Sequence, residues 1–278
     1  MSRLPRTHLL IIDPQNDFCD LPAEGANQPA LPVAGANADM QRLARFIDAA
    51  AARLDAITVT LDSHHRLDIA HPGFWRTGDG GPVMPFTPIT AADVRSGRFQ
   101  PRDATALPRT LAYLDELEAR GRYTLMVWPV HCEIGSWGHN VHDAVRAAYN
   151  RWELQHQAIV GKVMKGSNPW TEHYSAVQAE VPEPGDDHTQ LNRALLAELD
   201  RAETILIAGE ASSHCVKATT EHIVEHLPGG RPERLVLLTD CMSPVGGFEA
   251  QAEGFLAAMR ARGVRTATSA EAAALTGT

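Results

Sequence analysis

The sequence predicts an α/β fold in which parallel strands form a sheet with helices on both faces. Two observations carry this prediction. Short apolar, β-branched runs recur along the 278 residues, and stretches with apolar residues at helical spacing separate them. Parallel strands need long crossover connections, which are usually helical, so this alternation indicates βαβ units. The crossovers are expected to be right-handed.

The strands are predicted from short apolar runs that end in polar or turn-forming residues. The first, at residues 9–12, is followed directly by Asp13, and the second covers residues 56–61. Further strands are expected at 123–127, 158–162, 204–208 and 235–239, and a last one begins at Val264. Helical spacing of apolar residues predicts helices over 38–54, 111–120, 191–200, 213–226 and 249–262.

One segment interrupts this alternation. Residues 66–108 are rich in Pro, Gly and Asp and show little periodicity. A loop of this length inside a compact domain is usually a lid, a binding segment or an oligomer contact, although a solvated excursion is the alternative. We therefore expect one domain over residues 1–278, with an insertion or lid at about 66–108.

Composition limits the classes of function. The formal net charge of −9 disfavours partners that require a basic surface, such as nucleic acid or an acidic membrane. No apolar run approaches the roughly 20 residues of a membrane-spanning helix, and the start of the chain lacks a signal-peptide pattern. The four cysteines include no CxxC pair, which favours a reducing compartment over a disulfide scaffold. We expect a cytoplasmic protein.

Chemically active side chains follow the carboxyl ends of five predicted strands. In chain order they are Asp13, Asp62 with His64, His131, Lys165 and Cys215. Ligands of open parallel sheets bind beyond the carboxyl ends of the strands. An acid, a basic residue, a thiol and a cluster of Asp and His therefore converge on one edge, which is the arrangement expected of an active site.

Cys215 is the candidate nucleophile. It lies where a strand turns into a helix, and the backbone N–H groups and dipole at a helix N-terminus favour a thiolate. A carboxylate beside it can accept the thiol proton and later deliver that proton to a leaving amine. A buried, chemically inert cysteine is the alternative interpretation of this residue.

The Asp-x-His pattern is a candidate metal site. Asp62 and His64 are two residues apart at a strand end, so their side chains point to the same face. A carboxylate with two or more imidazoles suits a divalent ion such as Zn²⁺, Mn²⁺ or Fe²⁺. His65 competes for a place but points to the opposite face in an extended segment. A strand-end cap is the alternative without metal.

These segments together resemble the nicotinamidase branch of the isochorismatase-like cysteine hydrolases. The resemblance runs from about residue 9 to about residue 240, with its motifs in the same order along the chain. The motifs are Asp13-Pro-Gln-Asn-Asp-Phe18, Asp62-Ser-His64, Trp128-Pro-Val-His-Cys132, Lys165-Gly166 followed by Tyr174-Ser175, and Gly209-Glu-Ala-Ser-Ser-His-Cys215. Each motif is weak alone, but their common order makes chance an unsatisfactory explanation.

The resemblance implies a doubly wound, six-stranded parallel sheet and a set of residue roles. Cys215 would be the nucleophile, Asp13 the base and Lys165 its cationic partner. Backbone N–H groups of Ala211 and Cys215 would stabilise the oxyanion, next to a cis peptide bond between Glu210 and Ala211. The sequence departs from the family at Glu210 and Ser213, where an apolar residue and an aspartate are more familiar.

The resemblance also assigns a metal site and a substrate pocket. Asp62, His64 and His131 would bind the ion, and His71 is a candidate fourth ligand whose spacing is one residue longer than in relatives. Phe18 and Trp128 would form aromatic walls for a planar ring.

The resulting expectation is a metal-containing amidase that cleaves a small, ring-bearing primary amide. Its products would be a carboxylic acid and ammonia, formed through a thioester. The alternatives are a metal-free relative acting on a ureido, carbamoyl or vinyl-ether group, and a non-catalytic binding protein. Relatives often assemble, so we expect a homo-oligomer whose ligand is a small amide.

Overall fold

A computed structural model describes residues 6–275 of the chain. Over these residues the strands are β1 (Thr7–Ile12), β2 (Ala56–Asp62), β3 (Trp75–Thr77), β4 (Thr87–Ile89), β5 (Phe99–Pro101), β6 (Leu125–Val127), β7 (Gly161–Lys165), β8 (Thr204–Gly209), β9 (Leu235–Leu238) and β10 (Arg265–Ala267). Six of them form one sheet in the order β10-β9-β8-β1-β2-β7, and every neighbouring pair is parallel. The predicted α/β parallel sheet is therefore confirmed.

The central strand explains why the sheet needs helices on both faces. All six residues of β1 are buried, and Ile11 pairs with Val59 on one side and with Ala208 on the other. A strand whose two faces are both apolar must be covered twice, which is typical of parallel sheets.

The covering helices are α1 (Ala36–Ala50), α2 (Ala91–Arg95), α3 (Leu107–Arg120), α4 (Asp143–His156), α5 (Arg193–Leu199), α6 (Cys215–His226), α7 (Glu249–Ala261) and α8 (Ser269–Leu275). Short 3₁₀ helices cover Asn16–Phe18, Ala51–Arg53, Pro72–Phe74, Ala104–Ala106 and Pro232–Arg234. None of the helices in this part of the chain is long and apolar enough to cross a membrane.

Three of these helices, α2, α4 and α8, were not predicted. The missed α4 did carry a signal, because its buried residues Val145, Ala148, Tyr149 and Trp152 follow helical spacing. Trp152 fixes the helix to the end of the α1 segment, since its indole N–H donates to the backbone oxygen of Leu54 at 3.0 Å.

The prediction for residues 123–127 was wrong in its pairing. β6 is only three residues long and pairs antiparallel with β4, with Ile89 opposite Leu125, outside the main sheet. Its apolar residues pack into a separate core with the 66–108 segment instead of joining β2. The strand next to β2 is β7, which begins at Gly161, three residues later than the predicted 158.

Residues 66–108 carry short elements in place of the expected structureless loop. β3 pairs antiparallel with β5, and α2 follows β4. Their side chains form a second apolar cluster with α3, which includes Trp75, Ile89, Phe99 and Leu114. Elements of three to five residues are too short to show a period, which explains why the sequence pattern gave no sign of them.

Gly209 ends β8 where that strand passes closest to β1. Its φ is +118°, and a Cβ built on it would lie 1.9 Å from the backbone oxygen of Ile12. Only glycine fits such a position, because the conformation and the lack of space both exclude a side chain. This contact brings the loop that carries Cys215 against the end of β1.

We expect Gly209→Ala to destabilise the fold by more than about 3 kcal/mol, because the added methyl group overlaps a backbone that cannot yield. Gly254→Ala is the matched control. Gly254 lies inside α7 with no atom within 4 Å of the added group, so this change should stabilise by up to about 1 kcal/mol. Urea unfolding of both variants measures the difference, and equal stabilities would show that the Gly209 contact is not constraining.

Candidate active site

Cys215 is the first residue of α6 and is almost fully buried. Its Sγ lies 3.6 Å from the Nζ of Lys165, the last residue of β7. Two strand ends on opposite sides of β1 thus place a thiol and an ammonium next to each other, as the positions after the strands predicted.

Lys165 is the most highly connected side chain of the site. Its Nζ lies 3.0 Å from Oδ2 of Asp13 and 2.9 Å from Oδ1 of Asp62. It also donates to the backbone oxygen of His173 at 2.9 Å. The lysine is therefore enclosed by two carboxylates, a carbonyl and the thiol of Cys215.

Asp13 follows β1 with a φ of 41° and is completely buried. Thr60 holds it twice: the Asp13 N–H donates to the threonine Oγ1 at 3.0 Å, and the hydroxyl donates to Oδ1 at 2.5 Å. The remaining oxygen, Oδ2, forms the ion pair with Lys165 but no well-oriented hydrogen bond. Oδ2 therefore keeps accepting capacity for a proton from Cys215.

The charges of these three groups decide where the proton rests. Burial raises the pKa of Cys215 well above its usual range; Lys165 opposes the rise and Asp13 adds to it. Burial also raises the pKa of Asp13, although the ammonium of Lys165 opposes this rise. Burial lowers the pKa of Lys165, but Asp13 and Asp62 outweigh it and raise that pKa well above the ordinary lysine value.

These directions favour a neutral thiol at Cys215 and a charged ammonium at Lys165. Burial thus opposes the thiolate that the helix N-terminus favours. The reason is physical: burial beside a carboxylate penalises a second negative charge more than the ammonium rewards it.

Within residues 6–275, three backbone N–H groups of the loop that leads into Cys215 lack a protein acceptor, those of Ala211, Ser213 and Cys215. The peptide bond between Glu210 and Ala211 is cis, as the resemblance implied. The N–H groups of Ser212 and His214, in contrast, both donate to backbone oxygens. Unpaired N–H groups beside the thiol are the donors that an oxyanion would need.

A cluster of three buried histidines lies on the other side of Lys165. It consists of His64, His71 and His131, each with a ring nitrogen within 4.8 Å of the others. Asp62 is not part of this group of three but lies beside two of its members, with its Oδ2 3.1 Å from Nε2 of His64 and 3.3 Å from Nε2 of His131. The other oxygen of Asp62 contacts Lys165, so this carboxylate joins the histidine cluster to the thiol.

Each histidine of the cluster is oriented by an acceptor at Nδ1. The acceptors are the carboxylate of Asp68 for His64 at 3.0 Å, the backbone oxygen of His65 for His71 at 3.2 Å, and that of Pro129 for His131 at 2.8 Å. Such acceptors favour the tautomer whose Nε2 can bind a metal. Nε2 of His64 also faces Oδ2 of Asp62; burial lowers the pKa of His64, but Asp62 and Asp68 outweigh it and raise that pKa well above its usual range. Burial, together with His131 and His64, lowers the pKa of His71 to about 3, which keeps it in the neutral form that metals bind.

The donor set therefore fits a divalent metal ion. Three imidazoles and one carboxylate, all buried, match the ligand preferences of Zn²⁺, Mn²⁺ and Fe²⁺. His71, the candidate fourth ligand, lies within the cluster. His65 is exposed and lies outside it. A turn in which the His71 N–H donates to the backbone oxygen of Asp68 accommodates the longer spacing.

Motif residues outside the site hold its loops in place. The side-chain amide of Gln15 donates to the backbone oxygen of Asp62 and accepts from its N–H, both at 2.7 Å. The carboxylate of Asp17 accepts the N–H of Cys132 at 2.7 Å and so anchors the loop of His131. This anchor matters because the strand before that loop, β6, does not belong to the six-stranded sheet.

The pocket above Cys215 is narrow. Its cavity has a volume of about 20 Å³, room for roughly one water molecule. It is lined by Phe18, Leu31, Asp62, Trp128, His131, Glu172, Tyr174, Ala211, His214, Cys215 and Val245. Phe18 and Trp128 thus stand in the pocket walls, and the Trp128 indole N–H donates to the Tyr174 hydroxyl at 3.0 Å.

Sequence reasoning missed three residues of the site. Asp68 orients His64 from four positions along the chain, and Thr60 holds Asp13 from the interior of β2. Glu172 lines the pocket with a buried oxygen, Oε2, that has no hydrogen-bond partner in the described chain. Only Asp68 had a signal in the sequence, as a carboxylate shortly after the Asp-x-His motif.

Solved structures with the same fold include several hydrolases. A nicotinamidase/pyrazinamidase from Acinetobacter baumanii aligns with a TM-score of 0.63 and 18% identity, over 97% of this chain and 99% of its own. Yeast nicotinamidase aligns with a TM-score of 0.64 and 19% identity, over 94% of this chain and 99% of its own. An isochorismatase hydrolase from Oleispira antarctica aligns with a TM-score of 0.53 and 15% identity, over 99% of each chain.

The chain has the fold of these hydrolases. The resemblance read from the motifs is confirmed at the level of the fold, since the alignments span almost the whole of both chains. No protein-family model matches the chain, and the comparison with curated proteins finds no match.

The raised pKa of Cys215 predicts how its alkylation depends on pH. Only the thiolate reacts, so the rate with iodoacetamide should be low near neutral pH and should climb above the pKa of about 8.5 of a free cysteine. Mass spectrometry of the Cys215 peptide from about pH 6 to pH 10 measures the rate, with glutathione as the parallel reference. A rate already at its plateau near pH 7 would show a resting thiolate and contradict the burial argument.

Proposed function

We propose that the protein is a metal-dependent cysteine amidase that converts a small primary amide into a carboxylic acid and ammonia. One observation carries this proposal. Lys165 lies within 3.0 Å of both Asp13 and Asp62, beside the thiol of Cys215, so the nucleophile and the metal-type cluster share one buried cation. The carboxyl group of Asp13, the thiol of Cys215 and the histidine cluster thus belong to a single site.

The first half of the reaction forms a thioester. Asp13 accepts the proton of Cys215 while the sulfur attacks the carbonyl carbon of the amide, and the C=O electron pair moves onto oxygen. The free N–H groups of Ala211 and Cys215 support stabilisation of that oxyanion. Asp13 then gives its proton to the amide nitrogen, the C–N bond breaks, and ammonia leaves.

The second half releases the acid. Asp13, again ionised, accepts a proton from water as the water oxygen attacks the thioester carbonyl. The C–S bond breaks, and the sulfur recovers the proton from Asp13. Throughout the cycle Lys165 stays charged, so the buried site never contains an unpaired carboxylate.

Asp62, His64, His71 and His131 would hold the metal ion. A pyrazinamidase from Pyrococcus horikoshii that shares the fold, at 18% identity and a TM-score of 0.54, was solved in complex with zinc. Such an ion supplies a Lewis acid that can bind a ring atom of the substrate or a water molecule. The position of the cluster beside Asp62 and Lys165 would turn the substrate carbonyl toward Cys215.

The pocket favours a flat, ring-bearing amide. Phe18 and Trp128 stand in its walls, and the yeast nicotinamidase that shares the fold was solved with the inhibitor nicotinaldehyde. The 66–108 segment contributes to this region, since the ring of Phe86 contacts that of Trp128 at 5.9 Å between centroids and is half exposed. We therefore propose that this segment acts as a lid whose Phe86 moves when substrate enters.

We further propose that the chain works in the cytoplasm as a homo-oligomer. All four cysteines are free, which supports a reducing compartment. The strand β7 lies at one edge of the sheet and carries the exposed apolar side chain of Met164. Two more exposed apolar side chains precede it along the chain, those of Leu154 and Ile159. These side chains support burial of that edge in an assembly.

Ammonia release from a panel of amides, starting with nicotinamide, tests the activity directly. Cys215→Ala should lower turnover at least about 10³-fold while fold and metal content stay unchanged, because it removes the nucleophile and no ligand. Cys241→Ala is the matched control, since this buried cysteine lies away from Lys165 and should keep activity. An active Cys215→Ala variant would refute the proposal.

Metal analysis of two neighbouring histidine variants tests the cluster. His71→Ala should weaken metal binding by more than the roughly 10–100-fold that loss of an outer-shell partner causes. His65→Ala should leave it unchanged, because His65 orients His71 only through its backbone oxygen. Retention of metal by His71→Ala together with loss from His65→Ala would contradict the ligand assignment.

A further inference from the structure

Glu210 is a fully buried carboxyl at a position where relatives are expected to carry an apolar residue. It follows β8 directly, and its carbonyl forms the peptide unit that carries the Ala211 N–H, one of the two proposed oxyanion donors. A polar group at this place affects the geometry of the site without touching the reacting atoms.

Ser243 connects Glu210 to α1. Its N–H donates to Oε2 of Glu210 at 3.1 Å, and its hydroxyl donates to Oδ2 of Asp39 at 2.6 Å. The backbone oxygen of Ser243 in turn accepts the N–H of Ser212 at 2.9 Å. Two carboxyl groups and Ser243 therefore connect three segments by hydrogen bonds: the loop before Cys215, the segment around Ser243 and the first turn of α1.

Both carboxyls accept a hydrogen bond from Ser243, so they lie close together. Asp39 is paired with Arg42 and lies in the first turn of α1, where the helix dipole favours its negative charge. Within residues 6–275, the other titratable groups that influence Glu210 or Asp39 include Asp20, Cys19 and Cys241, none of which can supply a positive charge. The Nε–H of Arg42 donates a hydrogen bond to the backbone oxygen of Asp240.

One oxygen of Glu210 lacks a donor. Oε1 is buried and, within the part of the chain that the structure describes, forms no hydrogen bond as an acceptor. Burial raises the pKa of Glu210 well above its usual range, and the neighbouring charge of Asp39 raises it further. A proton on Oε1 would remove the buried charge and turn the unpaired acceptor into a donor toward Asp39.

We propose that Glu210 is a positioning residue: as a neutral acid it shares one proton with Asp39 and thereby clamps the 209–212 loop against α1 and Ser243. The catalytic value of holding the Ala211 N–H in place rests on the proposed amidase function. The proton shared between Glu210 and Asp39 does not depend on that function. Loss of this proton as the pH rises sets two buried carboxylates against each other and loosens the loop.

Thermal unfolding of the whole protein against pH tests the shared proton. The folded-state pKa of Glu210 lies above its unfolded value, so its contribution to stability is full at acidic pH and is lost as the pH rises through the folded pKa. Glu210→Gln keeps a donor for Asp39 and an acceptor for Ser243 but cannot ionise. The Tm of the wild type should therefore fall relative to that of Glu210→Gln as the pH is raised.

Two comparisons make this result decisive. Asp48→Asn removes an exposed carboxylate of the same helix, so its Tm should stay parallel to the wild type at every pH. The infrared difference between wild type and Glu210→Gln at neutral pH should contain the C=O stretch of a protonated carboxylic acid. Parallel Tm curves for Glu210→Gln, or absence of that band, would overturn the shared proton.

Hydrogen exchange and kinetics test the positioning. Glu210→Leu should accelerate amide exchange in residues 209–212 and lower kcat at least about 10-fold with KM nearly unchanged, a smaller loss than the roughly 10²–10³-fold for deleting an oxyanion donor. Glu210→Gln should restore both to near wild-type values. Unchanged exchange in Glu210→Leu would overturn the clamp. If no amide is hydrolysed, the exchange, Tm and infrared results still decide the proposal, whereas the amidase function alone fails.

Discussion

The site depends on a single buried ammonium held between two carboxylates. Lys165 contacts Asp13 on one side and Asp62, next to the histidine cluster, on the other, and its Nζ lies 3.6 Å from the sulfur of Cys215. Without this cation, two buried carboxylates would lie close together with no positive partner, which is strongly unfavourable. The carboxylates in turn keep the lysine protonated, and the lysine favours the ionised form of each carboxylate.

The fold supplies this arrangement because parallel strands end at a common edge. β1, β2, β7 and β8 are neighbours in the sheet and lead into Asp13, Asp62, Lys165 and the Cys215 loop. His131 arrives differently: the backbone of its loop bonds to that of His64, with the His64 N–H donating to the oxygen of Cys132 at 3.0 Å. Side chains such as Asp17 therefore hold this loop in position, whereas the strands of the main sheet position the other site residues.

The sequence predicted the structure best where a strand or helix has a clear apolar pattern and a functional residue follows it directly. The buried runs around β1, β2 and β8 and the helices α1, α3, α6 and α7 lie where their spacing predicts them, and the side chains after the strands do meet. The short elements of residues 66–108 and the antiparallel pairing of β6 were not predictable, because three residues carry no period and pairing depends on distant partners. The effect of burial on the pKa of Cys215 could not be predicted, because burial and neighbouring charges exist only in the folded chain.

The central claim is that Cys215 attacks an amide and carries the acyl group. Rapid acid quenching of the protein mixed with nicotinamide, followed by mass spectrometry of its peptides, tests this claim most directly. The account predicts an adduct on the Cys215 peptide whose mass equals that of the amide less ammonia, and no adduct in Cys215→Ala. Ammonia release without any adduct on Cys215, or with an adduct on another residue, would contradict it.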